Sequence, residues 1–281
     1  MTNQTDQADR DVVLVEQIGA ARVLTFNRPE SLNAMGGGLP VRVLEELDRA
    51  DAEDEARVVI LTGAGRGFCA GGDVKAMYRT RVQDAGADGA AAQAPRAFPA
   101  SAVFSQGAIP QKIRKLSKPV IGAINGDAAG AGCDIALSVD LRIASERARF
   151  GEVFGRMGLI PDNGGLYLLP RLVGMARAAE MILTAEMFTV DQIADWGLLN
   201  AVVPHDDLMP AALEFAERIA NTPPLALATA KWGLQRAQHA DFETSFDWVN
   251  YSMNLLRASP EHKDAVARFV EERAARRASS D

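Results

Sequence analysis

Two segments of small residues carry the chemistry that this chain could perform. Phe68-Cys69-Ala70-Gly71-Gly72-Asp73 follows an apolar run, and so does Asn125-Gly126-Asp127-Ala128-Ala129-Gly130-Ala131-Gly132-Cys133-Asp134. Small residues at the start of a helix leave backbone N–H groups uncovered. Two such groups aimed at one point hold negative charge as it develops on an oxygen, which is often the largest single contribution to catalysis. A third segment, Gly63-Ala64-Gly65-Arg66-Gly67, lacks the Gly-x-Gly-x-x-Gly spacing, and no Gly-Lys-Ser/Thr occurs anywhere. It reads as a turn out of a sheet and not as a nucleotide loop. Cys69 and Cys133 are too few for a disulfide framework and lack metal-ligand spacing, so both read as small packing residues.

These segments need strands behind them and helices in front. Val12–Glu16 and Ala21–Phe26, parted by Gly19, predict a hairpin. Leu39, Val43, Leu44 and Leu47 recur at helical spacing over 39–52. The unbroken apolar runs at 58–62 and 119–124 predict strands buried on both faces, and 141–144 a third. Strand, helix and buried strand in alternation imply βαβ units and a mostly parallel sheet, an α/β class. From about residue 207 the periodicity is helical only, with Pro223-Pro224 and Ser259-Pro260 as breaks. The expected organisation is a disordered 1–10, an α/β core over 11–205 and a helical segment over 206–281. The Ala/Gly/Asp/Pro-rich stretch 82–105 is expected to be a variable loop, with a helix starting somewhere in 97–111.

Composition sets the remaining bounds. The 281 residues are 48% hydrophobic and 24% charged, as in a water-soluble domain with a sizeable core. A net charge of −7 without a basic stripe argues against a nucleic-acid surface. No run reaches membrane-spanning length and the polar start has no secretory character, so a cytoplasmic protein is expected.

The chain resembles the crotonase family of enoyl-CoA hydratases and isomerases. The resemblance rests on residues 27–35, 68–73, 118–134, 150–165, 170–174, 183–185 and 197–204, seven motifs in one order. It implies a spiral of repeated ββα units with a helical C-terminal segment that packs chains into a homotrimer or a dimer of trimers. It also implies an acyl-CoA thioester as substrate, with coenzyme A as part of that substrate and no separate cofactor or metal. Ala70 and Ala131 are the implied oxyanion donors. Ser31, Leu32, Ala34, Gly72, Asp73, Val74, Lys75 and Gly130 are the implied substrate contacts, with Phe154 and Leu159 in the acyl pocket.

Carboxylates separate the reactions of that family. Its hydratases use two glutamates twenty residues apart; here those positions hold Asp134 and Phe154, and a phenyl ring transfers no proton. Shifting the register to reach Glu152 would spoil a gap-free match. Eight residues beyond Phe154 stands Asp162, where several isomerases of the family carry an acid. The surrounding Leu159-Ile160-Pro161-Asp162-Asn163-Gly164-Gly165 looks most like the ring-epoxide isomerases of phenylacetyl-CoA breakdown. Asp162 is therefore the expected proton carrier, with an N-cap as its structural alternative and Asp134 as a second catalytic candidate. Isomerisation through a thioester enolate is favoured over hydration and over non-catalytic acyl-CoA binding. Dehalogenation is disfavoured because His205, His239 and His262 are all C-terminal.

Overall fold

The computed structural model describes residues 12–78 and 107–278. The expectations for 1–10 and for the 82–105 loop lie outside the described residues, while the helix expected to start in 97–111 begins at Ala108.

The hairpin forms as the alternation predicts: β1 (Val13–Ile18) pairs antiparallel with β2 (Ala21–Phe26) around Gly19, whose φ is +56°. Three repeats follow. In each, a strand of a first sheet turns within two or three residues into a three-residue strand of a second sheet, and a helix comes next. β3 (Val58–Gly63) and β4 (Gly67–Cys69) lead into α2 (Val74–Tyr78), after α1 (Leu39–Ala52) has closed the hairpin. β5 (Val120–Ile124) follows α3 (Ala108–Lys115), and with β6 (Asp127–Ala129) it leads into α4 (Ala131–Ser138). β7 (Leu141–Ser145) and β8 (Arg149–Gly151) lead through a 3-10 turn at Val153–Met157 to α5 (Gly165–Val173) and α6 (Met175–Thr184). β9 (Phe188–Thr189) and β10 (Ala201–Val203) complete the sheets. Because each repeat runs the same way, the first sheet is parallel beyond its hairpin, in the order β1-β2-β3-β5-β7-β10. The second sheet runs β4-β6-β8-β9, antiparallel only at β9.

The unbroken apolar strands are buried on both faces for a visible reason. Val59 and Leu61 join the main core with α1, α3 and α4, whereas Val58 and Ile60 meet Leu208, Ala212 and Ala216 of α7 (Leu208–Ala220). Each such side chain contributes about 1.5–3 kcal/mol through burial. The tail continues as α8 (Pro224–Ala237), α9 (Phe242–Ala258) and α10 (Pro260–Ala278), close to the bounds that periodicity predicts. Lys231 anchors α8 to the core: its ammonium donates to the Ile113 and Lys118 carbonyls, each at 2.9 Å, and pairs with Asp140 at 2.8 Å. Among the described residues no helix is long and apolar enough to cross a membrane.

The short strands of the second sheet, β4, β6 and β8, run through segments that the sequence alone presents as loops. Three residues carry too little alternation to signal a strand.

Candidate active site

The two small-residue segments meet where β4 and β6 end. Gly71, at φ +86°, makes the contact possible: a Cβ there would stand 2.5 Å from the Ala129 carbonyl oxygen and 3.1 Å from the Ala131 nitrogen. Gly132 is equally confined, because a Cβ on it would overlap the Cys69 carbonyl. Both glycines are needed for close approach of backbone to backbone.

The backbone N–H groups at this junction differ in what they face. Ala131 is the first residue of α4, and its N–H has no acceptor among the described residues, as expected for a helix start. The Ala70 N–H, expected as an oxyanion donor, donates to the Leu32 carbonyl at 2.9 Å in this structure. The Gly71 N–H is turned toward Cys69 Sγ at 3.4 Å. Gly72, expected only as a substrate contact, carries the N–H of this segment that lacks an acceptor among the described residues. Sequence could not separate the three because donors in one turn are distinguished only by what they face.

The 28–34 segment packs against this strand end. Leu32 and Asn33 both have positive φ, +53° and +57°, a costly conformation for residues with a Cβ. Fully buried Asn33 holds the turn: its Nδ2 donates to the Ala64 and Gly67 carbonyls at 3.0 and 2.8 Å, and its Oδ1 accepts from the Arg28 N–H at 2.8 Å. Arg28 donates to the Ala34 carbonyl and pairs with Asp73 at 3.5 Å. Ser31, Leu32, Ala34, Gly72 and Asp73 thus gather on one side of the paired segments, with Val74 and Lys75 exposed at the start of α2.

Three acids converge on the other side. Asp134 lies three residues along α4 from Ala131, on the same helical face, and has no exposed surface. Its Oδ2 accepts the Asn163 N–H at 3.0 Å. Glu152, at the end of β8, is equally buried beside it. Gly165 marks the contact: a Cβ on it would come 2.5 Å from Glu152 Oε1 and would overlap Asp134 Oδ1. Asp134 Oδ1 and both Glu152 oxygens have no nitrogen or hydroxyl donor among the described residues. Burial pushes the Asp134 carboxyl up to about 6, against the lowering effect of the Asn163 N–H. Glu152 is pushed well above the carboxylate range, first by burial and then by the Asp134 charge. Cys133 beside them is raised too, chiefly by burial and then by the two acids; burial raises Cys69 to about 12. Both cysteines are buried free thiols, as small packing residues should be.

Asp162 is half-buried and close enough for its charge to raise both acids. It does not cap α5, whose N-cap is Gly164 at φ +112°. Its Oδ1 instead accepts from Asn163 Nδ2. Asn163 Oδ1 in turn accepts the Gly107 N–H at 2.6 Å. Asn163 and Glu152 are the site residues that sequence reasoning missed. The eighteen-residue spacing from Asp134 to Glu152 was the only signal for the latter.

Phe154 packs beside Gly130. Its ring is 3.7 Å from where a Gly130 Cβ would be, so position 154 faces the start of α4. Leu159, expected beside it in an apolar pocket, is 47% exposed on the turn that follows. Its N–H donates to the Phe154 carbonyl at 3.1 Å.

Known proteins resemble this chain over nearly its whole length. The family described as Enoyl-CoA hydratase/isomerase matches residues 17–278. A short-chain-enoyl-CoA hydratase of Clostridium acetobutylicum is 35% identical over 266 residues, 93% of this chain and 95% of its own. A 1,2-epoxyphenylacetyl-CoA isomerase of Escherichia coli is 34% identical over 250 residues, 89% of this chain and 92% of its own. The crystal structure of an enoyl-CoA hydratase from Bacillus anthracis superposes with a TM-score of 0.81 at 29% identity, covering 93% of this chain and 96% of that one. Core and tail agree alike, so the ββα spiral is the crotonase fold and the chain belongs to the enoyl-CoA hydratase/isomerase family.

Proposed function

We propose that the protein is an acyl-CoA isomerase that moves a double bond into conjugation with a thioester through an enolate, with Asp162 as the proton carrier. One observation carries this reading: Phe154 faces the start of α4, where a hydratase of this family would present its second carboxylate, while Asp162 stands close enough to Asp134 and Glu152 for its charge to act on both. The thioester oxygen is held by the Gly72 and Ala131 N–H groups, which stabilises negative charge on it. Asp162 takes a proton from the α-carbon of a β,γ-unsaturated acyl group. The electron pair spreads over the dienolate to the thioester oxygen. Asp162 then returns the proton to the γ-carbon, leaving the α,β-unsaturated thioester. One base takes and returns one proton, so no second acid is required. The 28–34 turn with Gly72–Lys75 receives the coenzyme A part. Apolar residues exposed on α9 and α10, Phe242, Phe246, Tyr251 and Phe269 among them, suit packing against further copies of the chain.

The test is an ultraviolet assay with 3-hexenoyl-CoA and crotonyl-CoA. Conjugation is expected to appear from the first. Rapid loss of crotonyl-CoA absorbance without isomerisation would mean hydration instead, for which the adjacent Asp134 and Glu152 are the acids at hand. Silence with both would leave acyl-CoA binding.

A further inference from the structure

Glu152 is a buried acid that the proposed proton transfer does not use. Its two oxygens have no exposed surface and no nitrogen or hydroxyl donor among the described residues. The titratable groups facing it are Asp134 and Cys133 from α4 and Asp162 from the turn before α5, while Gly165 closes the space from α5 itself. Two ionised carboxylates cannot share such a site. Buried polar atoms without partners are also costly. One proton resolves both difficulties. It belongs on Glu152, because Asp134 already has the Asn163 N–H stabilising its charge, whereas Glu152 has only the weak thiol donor of Cys133.

We propose that Glu152 is a positioning residue that stays a neutral carboxylic acid: its O–H donates to Asp134 Oδ1 while the Asn163 N–H occupies Oδ2. Each Asp134 oxygen then accepts one hydrogen bond, so Asp134 stands as a fixed anion and Asp162 is left as the movable base. The Asp162 turn hangs from the same carboxylate through Asn163, so the proton on Glu152 also sets where Asp162 points. The catalytic part of this inference rests on the isomerase reading; the protonation part does not.

Infrared spectroscopy of the full-length protein at neutral pH tests the protonation directly. A carboxylic acid C=O band should be present in the wild type, persist in Asp162→Asn and vanish in Glu152→Gln. Absence of a band that responds to Glu152→Gln would overturn the proposal. In the 3-hexenoyl-CoA assay, Glu152→Leu should lower kcat by about 100-fold, the cost of a misplaced catalytic group, with KM little changed. Glu152→Gln, whose amide N–H replaces the O–H, should restore kcat to within about threefold of the wild type. Equal loss in both variants would mean that Glu152 works as an ionised base, and full activity in Glu152→Leu would make it a bystander; either sinks the positioning role. If the wild type does not isomerise, the isomerase reading fails, and the infrared band alone decides the state of Glu152.

Discussion

The Asn163 N–H donates to Asp134 Oδ2 across 29 residues of sequence, and the Asn163 side chain reaches Asp162 and the Gly107 N–H at the same time. One residue therefore joins α4, the acid-bearing turn and the start of α3. Asn163→Ala keeps the backbone bond but leaves the Gly107 N–H without its acceptor and releases Asp162. A stability loss of about 1–3 kcal/mol is expected, together with a lower kcat. Urea unfolding beside the isomerase assay checks it; unchanged kcat would mean that Asp162 does not need this support.

Asp162→Asn removes the proposed base and keeps the shape of the side chain. An isomerase rate lower by about 10²–10⁴-fold is expected, the usual share of a general base, with KM and melting temperature close to the wild type. Retention of more than half the activity would move the proton transfer to another group.

Gly71→Ala puts a methyl group 2.5 Å from the Ala129 carbonyl at a φ of +86°. The left-handed conformation alone costs an alanine about 1–2 kcal/mol, and the two donor segments must also separate. Turnover should fall much further than binding of a coenzyme A thioester, because the added methyl pushes the Ala131 N–H away from the 70–72 segment that is proposed to share the oxyanion with it. Parallel kinetics and calorimetric titration would show this split; proportional losses in both would argue against an oxyanion role.

Asp134 gives a pH signature whose sign is opposite to that of an ordinary salt-bridged acid. Its folded pKa of about 6 lies above the ordinary value of 3.8, so the native state binds the extra proton between these values. Stability from this group is fully present below about pH 4 and is lost as pH rises toward about 6, by about 3 kcal/mol in all. Asp134→Asn lacks the titration. The wild type should therefore lose stability relative to that variant between pH 4 and 6, measured by denaturant unfolding at fixed pH. A difference that does not vary with pH in this window would show that Asp134 is not strained by burial.

What the sequence determined is the frame. The apolar runs at 58–62 and 119–124 could only be strands covered on both faces, and the tail's periodicity and prolines fixed its helices, because these signals are local and repeat over many residues. The glycine segments marked where backbone must approach backbone, since only glycine tolerates what Gly71 and Gly132 meet. Asp162 stood out by its motif. The tertiary structure alone decided what each N–H group faces: the Leu32 carbonyl from a distant turn takes the Ala70 donor, while the Gly72 N–H has no acceptor among the described residues. It alone brought Glu152 against Asp134, since the side chain at the end of β8 points into the core and not along the register of the motif. Hydrogen-bond occupancy and the state of a buried acid depend on neighbours far away in the chain, and spacing along a sequence carries no record of them.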